Sequence, residues 1–146
     1  MKVKQISERK AHHDVASTTV NTSLADVATK LGKMKIGCLV VLDSDGKLTG
    51  IISERDIVRA VGVKGSACLD QTASSVMTRD VMTCTADDSA DSILSRMSNG
   101  RFRHMPVMEG DKVIALISIG DVVKAKIEEL LQDNEAMETM IRSGVA

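Results

Sequence analysis

The chain has 146 residues, with 19 Lys and Arg against 20 Asp and Glu, a net charge of −1 and a hydrophobic fraction of 43%. It has no Trp or Tyr and a single Phe, so the aromatic platforms on which nucleic-acid bases stack are missing, and its balanced charge gives no basic footprint for nucleic acid or an anionic membrane. No apolar run reaches the roughly 20 residues of a membrane span, and the opening MKVKQISERKAHHD holds no apolar secretory segment, so a cytoplasmic protein is expected.

In chain order, residues 1–14 read as a short polar helix or arm anchored by Val3 and Ile6. His12 and His13 fall in it, and with no acidic or Cys partner placed by the sequence they read as an exposed polar pair and not a metal site. Residues 15–22 are rich in Val and Thr and read as extended. Ser23 caps a helix whose Leu24, Val27, Ala28, Leu31 and Met34 recur at helical spacing. Residues 38–42 (CLVVL) form a buried strand, DSDG at 43–46 a hairpin turn, and Leu48 to Ser53 the return strand. Asp56 opens a helix expected to run to about Val61. The small, polar stretch 62–80 reads as a linker.

The order then recurs. Val81 to Thr85 is extended, a helix spans about Ser89 to Ser98, and His104 to Met108 and Val113 to Ser118 are strands joined by EGDK. The final helix starts near Asp121 and reaches about Arg142, with an apolar stripe of Val122, Val123, Ile127, Leu130 and Leu131 that continues through Met137, Met140 and Ile141. GIISERDIVRA at 50–60 returns as ALISIGDVVKA at 115–125, and Ile36 to Leu42 returns as Phe102 to Met108. Two copies of such length indicate pseudo-symmetric pairing and not a solenoid, which needs three or more repeats. The fold class is therefore α/β: two β-α-β-β-α repeats around a shared core, with an arm at 1–14, repeat one at 15–61, a linker at 62–80, repeat two at 81–125 and a helical extension at 126–146. Cys38, Cys68 and Cys84 are odd in number and lack metal spacing, so free thiols filling the interior are expected, with Met replacing the absent aromatic rings.

The duplicated Ser53-x-x-Asp56 and Ser118-x-x-Asp121 carry the chemistry. One reading is purely local: Ser and Asp at a strand–helix junction accept the free amides of the first turn. The other is that the carboxylate accepts both hydroxyls of a ribose, as the acidic residue of dinucleotide folds does, beside a helix start suited to phosphate.

On these residues the chain resembles the CBS (cystathionine-β-synthase) domain pair, or Bateman module. The resemblance covers about residues 15 to 125 and rests on G-h-h-S-x-x-D-h-h (h apolar) at 50–58, ALISIGDVV at 115–123, RHMPVM at 103–108 and VMTRDVMT at 76–83. Ala115 stands where the second signature usually has Gly, a change the strand tolerates. The resemblance implies a regulatory module that binds an adenosine nucleotide between the repeats and signals in trans. Its ligand is AMP, ADP or ATP, with NAD(H) and S-adenosylmethionine sharing the same adenosine. It implies Asp56 and Asp121 on ribose, Ser53 and Ser118 beside them, and the backbone around Ser17–Thr18 and Thr83–Thr85 against adenine.

It further implies crosswise pockets, each with Ser and Asp from one repeat and a basic residue from the other. Arg101, Arg103 and His104 then serve Asp56, with Arg55 and Arg59 nearby, whereas Asp121 faces Ile36, Gly37 and Cys38. On that reading the Asp56 site holds phosphate more tightly. Family members also pair through their helices, which implies a homodimer, with the C-terminal stripe and Leu24–Leu31 as contact faces and a protein target that the sequence does not name. The competing classes are a dimerising adaptor without nucleotide and an enzyme. The latter needs a nucleophile with its base, paired carboxylates or a metal, and His104 has no such partner in sequence.

Overall fold

The computed structural model describes residues 1–9 and 15–144, so the His12–His13 pair lies outside the described residues. Two three-stranded sheets are built alike. In the first, β1 (Ser17–Thr19) pairs parallel with β2 (Cys38–Leu42) across the helix α2 (Leu24–Met34), and β2 pairs antiparallel with β3 (Leu48–Ser53). The helix α3 (Glu54–Lys64) follows β3 directly. In the second sheet β4 (Cys84–Thr85), β5 (His104–Glu109) and β6 (Lys112–Ser118) repeat the pattern around a helix at Ala90–Gly100, and a 24-residue helix at Ile119–Arg142 closes the chain.

Local chemistry fixes these bounds. Ser23 Oγ accepts the Asp26 amide at 3.1 Å and Ser89 Oγ the Ser92 amide at 3.1 Å, so both inner helices start on serine caps. The DSDG turn closes with Gly46 at φ 78°, while Asp43 Oδ1 accepts the amides of Asp45 and Lys47, each at 2.9 Å.

Two further helices decide how the halves are assembled. The first is α1 (Val3–Glu8). Its Val3 and Ile6 are buried at 0% and 2% exposure among Ile93, Met97, Met105 and Ile117 of the second repeat. The second is α4 (Ala73–Val76), after a short 3-10 turn at Gly65–Asp70. Ala73 and Met77 pack with Leu39, Ile52 and Ile57 of the first repeat. Each repeat's core is thus completed by the segment that precedes the other repeat. The exchange follows one hydrogen-bond pattern: Val3 N donates to Asp88 O (2.8 Å) and Lys4 N to Ala86 O (3.0 Å), as Ala73 N does to Thr22 O (2.7 Å) and Ser74 N to Val20 O (3.1 Å).

Two expectations change accordingly. The described residues form two hydrophobic clusters and not one shared core. The stretch 62–80 is more than a linker, because α3 extends to Lys64 and Cys68, Ala73 and Met77 are buried. The polar composition hid this because these three small or flexible side chains fill gaps in a core laid down elsewhere. Leu24 and Leu31 are buried at 0% and 5%, so that face of α2 serves its own core and is not a surface for a partner. All three cysteines are free and buried.

Candidate ligand-binding cleft

Both strand–helix junctions are reciprocal capping boxes. Ser53, extended at φ −116°, offers Oγ to the Asp56 amide (3.4 Å), and Asp56 Oδ2 accepts the Ser53 amide at 2.8 Å and the Ser53 hydroxyl at 3.1 Å. Ser118 and Asp121 do the same, with the Asp121 amide to Ser118 Oγ at 3.1 Å and the Ser118 amide to Asp121 Oδ2 at 2.9 Å. The local reading of Ser-x-x-Asp therefore holds in both repeats. It does not compete with ligand binding, since the box engages Oδ2 of Asp56 and, among the described residues, Asp56 Oδ1 accepts no hydrogen bond. The helix start holds the carboxylate at the sheet's end in one fixed orientation.

The ends of the two sheets meet at the start of β2 and β5. Glu54 N donates to Gly37 O at 2.9 Å and Ile119 N to Arg103 O at 2.8 Å, which makes Gly37 and Arg103 structural equivalents. A Cβ on Gly37 would lie 3.5 Å from Glu54 Oε1 and 3.8 Å from His104 Cε1, so the two repeats touch here. Over this seam opens a cleft of about 1200 Å³. Ser118, Asp121 and Lys124 form one wall, Lys33 to Cys38 of the first repeat form another, and Ile6 to Arg9 of α1 close an end. Its floor is Ile114–Leu116 of β6. Arg9 bridges to Glu128 at 2.7 Å, tying α1 to the last helix. The thiol of Cys38 is pushed up to about 12 by burial and, second, by the negative charge of Asp56.

Asp56 has a smaller setting, a groove of about 240 Å³ shared with Arg59, Ala60, Lys64, Gln71 and Ser75. Asp56, Arg59 and Ala60 there match Asp121, Lys124 and Ala125 in the cleft. The inequality has a visible packing correlate. Thr78 lies on β3 through paired bonds with Ile51 (3.0 and 2.9 Å), and a Cβ on Gly50 would sit 2.6 Å from Thr78 O and 2.8 Å from Met77 Sδ. Ala115, the counterpart of Gly50, has a methyl in that place and lines the cleft. The Gly-to-Ala difference thus bears on the site and not only on the strand.

The other sequence candidates separate. Gly37, Cys38, His104, Ser118 and Asp121 come together in the cleft. Ser17 and Thr18 pair with Val40 and Val41 in β1, and the Ser17 carbonyl accepts from Lys30 Nζ; the preceding Val15 and Ala16 line the cleft instead. The Thr83 carbonyl accepts from Arg96, and the Thr85 amide donates to Asp88 Oδ2 at 2.9 Å; neither residue lines the cleft or the groove. Arg55, Arg101 and Arg103 are exposed and line neither, and Ser53 stays behind its cap.

The cationic clamp expected over Asp56 is therefore rearranged. His104 lines the cleft with Asp121 of its own repeat, and the cations of that cleft are Lys33, Lys35, Lys124 and Arg9, which the sequence reading left out. One signal was available: Lys35 and Arg101 end equivalent helices, at φ 55° and 54°. Arg9 carried no signal, because α1 crosses to the other half.

Comparison with known proteins places the molecule. The CBS domain model matches residues 3–63 and 73–128. The chain belongs to the CBS domain family. Both matches take in the crossing segments α1 and α4. This CBS pair is 42% identical to a CBS-domain containing protein of known structure from Agrobacterium tumefaciens, with a TM-score of 0.82 over 86% of this chain and 92% of that one. A CBS domain pair solved in complex with 5′-methylthioadenosine and S-adenosyl-L-methionine is 26% identical, with a TM-score of 0.78 over 88% of this chain and 98% of that chain. An uncharacterised 17.7 kDa protein of Acidianus ambivalens is 32% identical over 99% of this chain and 85% of its own length, whereas the chain spans 24% of the Arabidopsis thaliana CBS-domain protein CBSCBSPB2, at 30% identity over 84% of this chain. Among the described residues, no helix is long and apolar enough to cross a membrane, and no group of three His, Cys, Asp or Glu could hold a metal.

Proposed function

We propose that this CBS pair is a regulatory module that binds an adenosine-bearing ligand in the cleft over Asp121 and signals in trans. One observation carries the reading: the cleft joins the capped carboxylate of the second repeat to the Gly37–Cys38 strand start of the first. A ligand there touches both repeats, so its occupancy is coupled to their relative orientation. Asp121 is the ribose partner, and the Val15–Ala16 and Gly37–Cys38 backbone lies where a base can be read by main-chain groups. AMP, ADP, ATP and NAD(H) all present the required diol, as do the two adenosine compounds bound by the related CBS pair.

The reading as a binding module and not a catalyst is supported by the cleft's own thiol. Cys38, with its pKa near 12, is not a thiolate nucleophile at neutral pH. A second copy of the chain is the partner proposed for the exposed apolar residues Val58 and Val61 of α3 and Val123, Ile127 and Leu130 of the last helix, with an unidentified protein as the target.

A thermal-shift panel with adenosine, AMP, ATP, NAD(H) and S-adenosylmethionine tests the proposal. A ligand at one hundred times its Kd adds about 2.7 kcal/mol to the native state. A rise in Tm that requires Asp121 supports it, and an unchanged Tm with every compound at millimolar concentration leaves the adaptor reading standing.

A further inference from the structure

The last helix outruns its repeat. The family match ends at residue 128, yet the helix continues to Arg142. Val122 and Ala125 enter the second repeat's core, Glu129 is the last residue partly covered, and residues 130–142 are exposed on every side. A helix of that length is marginal in water unless its apolar stripe is covered. The stripe has the spacing of a coiled-coil seam. Val123, Ile127, Leu130, Asn134, Met137 and Ile141 follow at steps of four, three, four, three and four, the 3.5-residue period of a heptad. Five of the six are apolar, exposed by 41% to 73%. The seam lies on a different side of the helix from Val122 and Ala125, so the core does not account for it.

Charge decides the occupant and its direction. Beside the seam, Lys124 stands at the body end and Asp133 and Glu138 toward the tip. Among the described residues these three make no ion pair, whereas Lys126 is taken by Asp91 at 3.1 Å and Glu129 at 3.6 Å. Two such helices running in the same direction set Asp133 of one against Glu138 of the other, on both flanks. Reversed, they set Lys124 against Glu138 twice, and the one like-charge contact left is Asp133 with its counterpart. In that arrangement Val123 meets Ile141, Ile127 meets Met137 and Leu130 meets Asn134, so every seam residue is paired in one isologous interface. Leu131, apolar outside the seam and 58% exposed, meets its own counterpart at the twofold axis. Asn134 alone favours the same-direction pair, where it would face a second Asn; opposite Leu130 it lowers stability, the cost a polar seam residue carries.

We infer that the last helix pairs head to tail with the last helix of a second copy, as a short antiparallel coiled coil centred on Gln132. The inference rests on the second-copy reading and adds its surface, direction and register. The seam spans fewer than three heptads, short for a freestanding coiled coil, so the pairing is reversible and depends on protein concentration. The buried first turns hold each helix in place before it meets the other. Lys124 also lines the cleft, so the acidic tip of the second copy ends at the cleft wall.

The test is sedimentation equilibrium of the full chain over a range of concentrations. The unmodified chain is expected to dimerise, and Leu130→Glu, at an exposed position, to weaken the dimer about tenfold or more. Glu138→Lys weakens it by a smaller factor, and adding Lys124→Glu to that variant restores it. Direction is read by oxidation of exposed cysteines, since the native three are buried. A mixture of Val123→Cys and Ile141→Cys chains forms the mixed disulfide, while neither chain alone forms its own. Strengthening by Glu138→Lys, which in a same-direction pair would meet Asp133, or a disulfide within either single variant, would overturn the inference. A dimer lost on Val58→Glu in α3 but indifferent to Leu130→Glu would keep the second copy and overturn the coiled coil. A monomer at every concentration would remove the second-copy reading itself.

Discussion

The two repeats share caps, sheets and crossing helices, yet one closes over its last strand and the other lines a cleft. In the first, Gly50 lets the Met77–Thr78 backbone lie on β3, with Thr78 O only 2.6 Å from where a Cβ would be. In the second, Ala115 fills that place with a methyl and becomes cleft floor. The carboxylates are presented almost identically, with Asp56 and Asp121 each accepting the serine amide three residues back in its own capping box at 2.8 and 2.9 Å. A binding site is therefore decided by what surrounds the signature and not by the signature. A pseudo-symmetric pair can keep the residue that grips and still differ fivefold in space, about 1200 against 240 Å³.

The comparison is broken most severely at the crossing helices. Ile6 is buried at 2% in the second repeat's core. Ile6→Ala is expected to destabilise the protein by about 2–4 kcal/mol, the cost of truncating a buried aliphatic side chain. Chemical denaturation measures this, and a change under about 0.5 kcal/mol, the range of a surface substitution, would show that α1 is an appendage. A smaller effect separates Gly50 from Ala115. Gly50→Ala must move backbone and is expected to cost about 1–3 kcal/mol, whereas Ala115→Gly costs about 1 kcal/mol or less, the ordinary penalty of glycine in a strand. Equal costs would remove close approach as the difference between the halves.

The alkaline limb gives a third and gentler probe. The Cys38 thiol keeps its proton up to about 12 in the folded chain, against 9.0 for an ordinary thiol. Between those values the unfolded chain has released a proton that the native state still holds, so stability falls as pH rises. The slope from this group approaches about 1.4 kcal/mol per pH unit and is absent below pH 9. Cys38→Ala flattens that limb when Tm is followed from pH 8 to 11; an unchanged limb would mean that Cys38 titrates as an ordinary thiol. Cys84, pushed up to about 11 by burial, then Asp88 and against Arg96, adds a contribution of the same sign that survives the substitution.

Much of this was legible in the sequence, and the limits are instructive. The β-α-β-β-α order, both hairpins and the serine caps follow from periodicity and turn chemistry within a dozen residues, and they were read correctly. So were the two Ser-x-x-Asp junctions, because a capping box is local. The exchange of α1 and α4 was not visible, since Val3, Ile6, Ala73 and Met77 signal only that they are apolar and not which core they enter. The cations of the cleft over Asp121 were hidden for the same reason. Arg101 and Arg103 stood nearest the signature strand in sequence, but the cleft took Lys33 and Lys35 from the other repeat and Arg9 from the crossing helix. Gly50 could be recognised as a position needing no side chain only once Thr78 was seen lying on it.

The central claim concerns which carboxylate holds the ligand, and paired titration tests it most directly. Asn can keep the cap through its amide oxygen while discarding the charge, so Asp121→Asn and Asp56→Asn each alter the grip on a diol with little change in fold. In calorimetric titration with ATP, Asp121→Asn is expected to weaken binding by about tenfold or more, the scale of one charge-assisted contact, with Asp56→Asn within about threefold of the unmodified chain. The opposite ranking, with Asp56→Asn abolishing binding and Asp121→Asn leaving it intact, would move the site to the narrow groove and contradict the account.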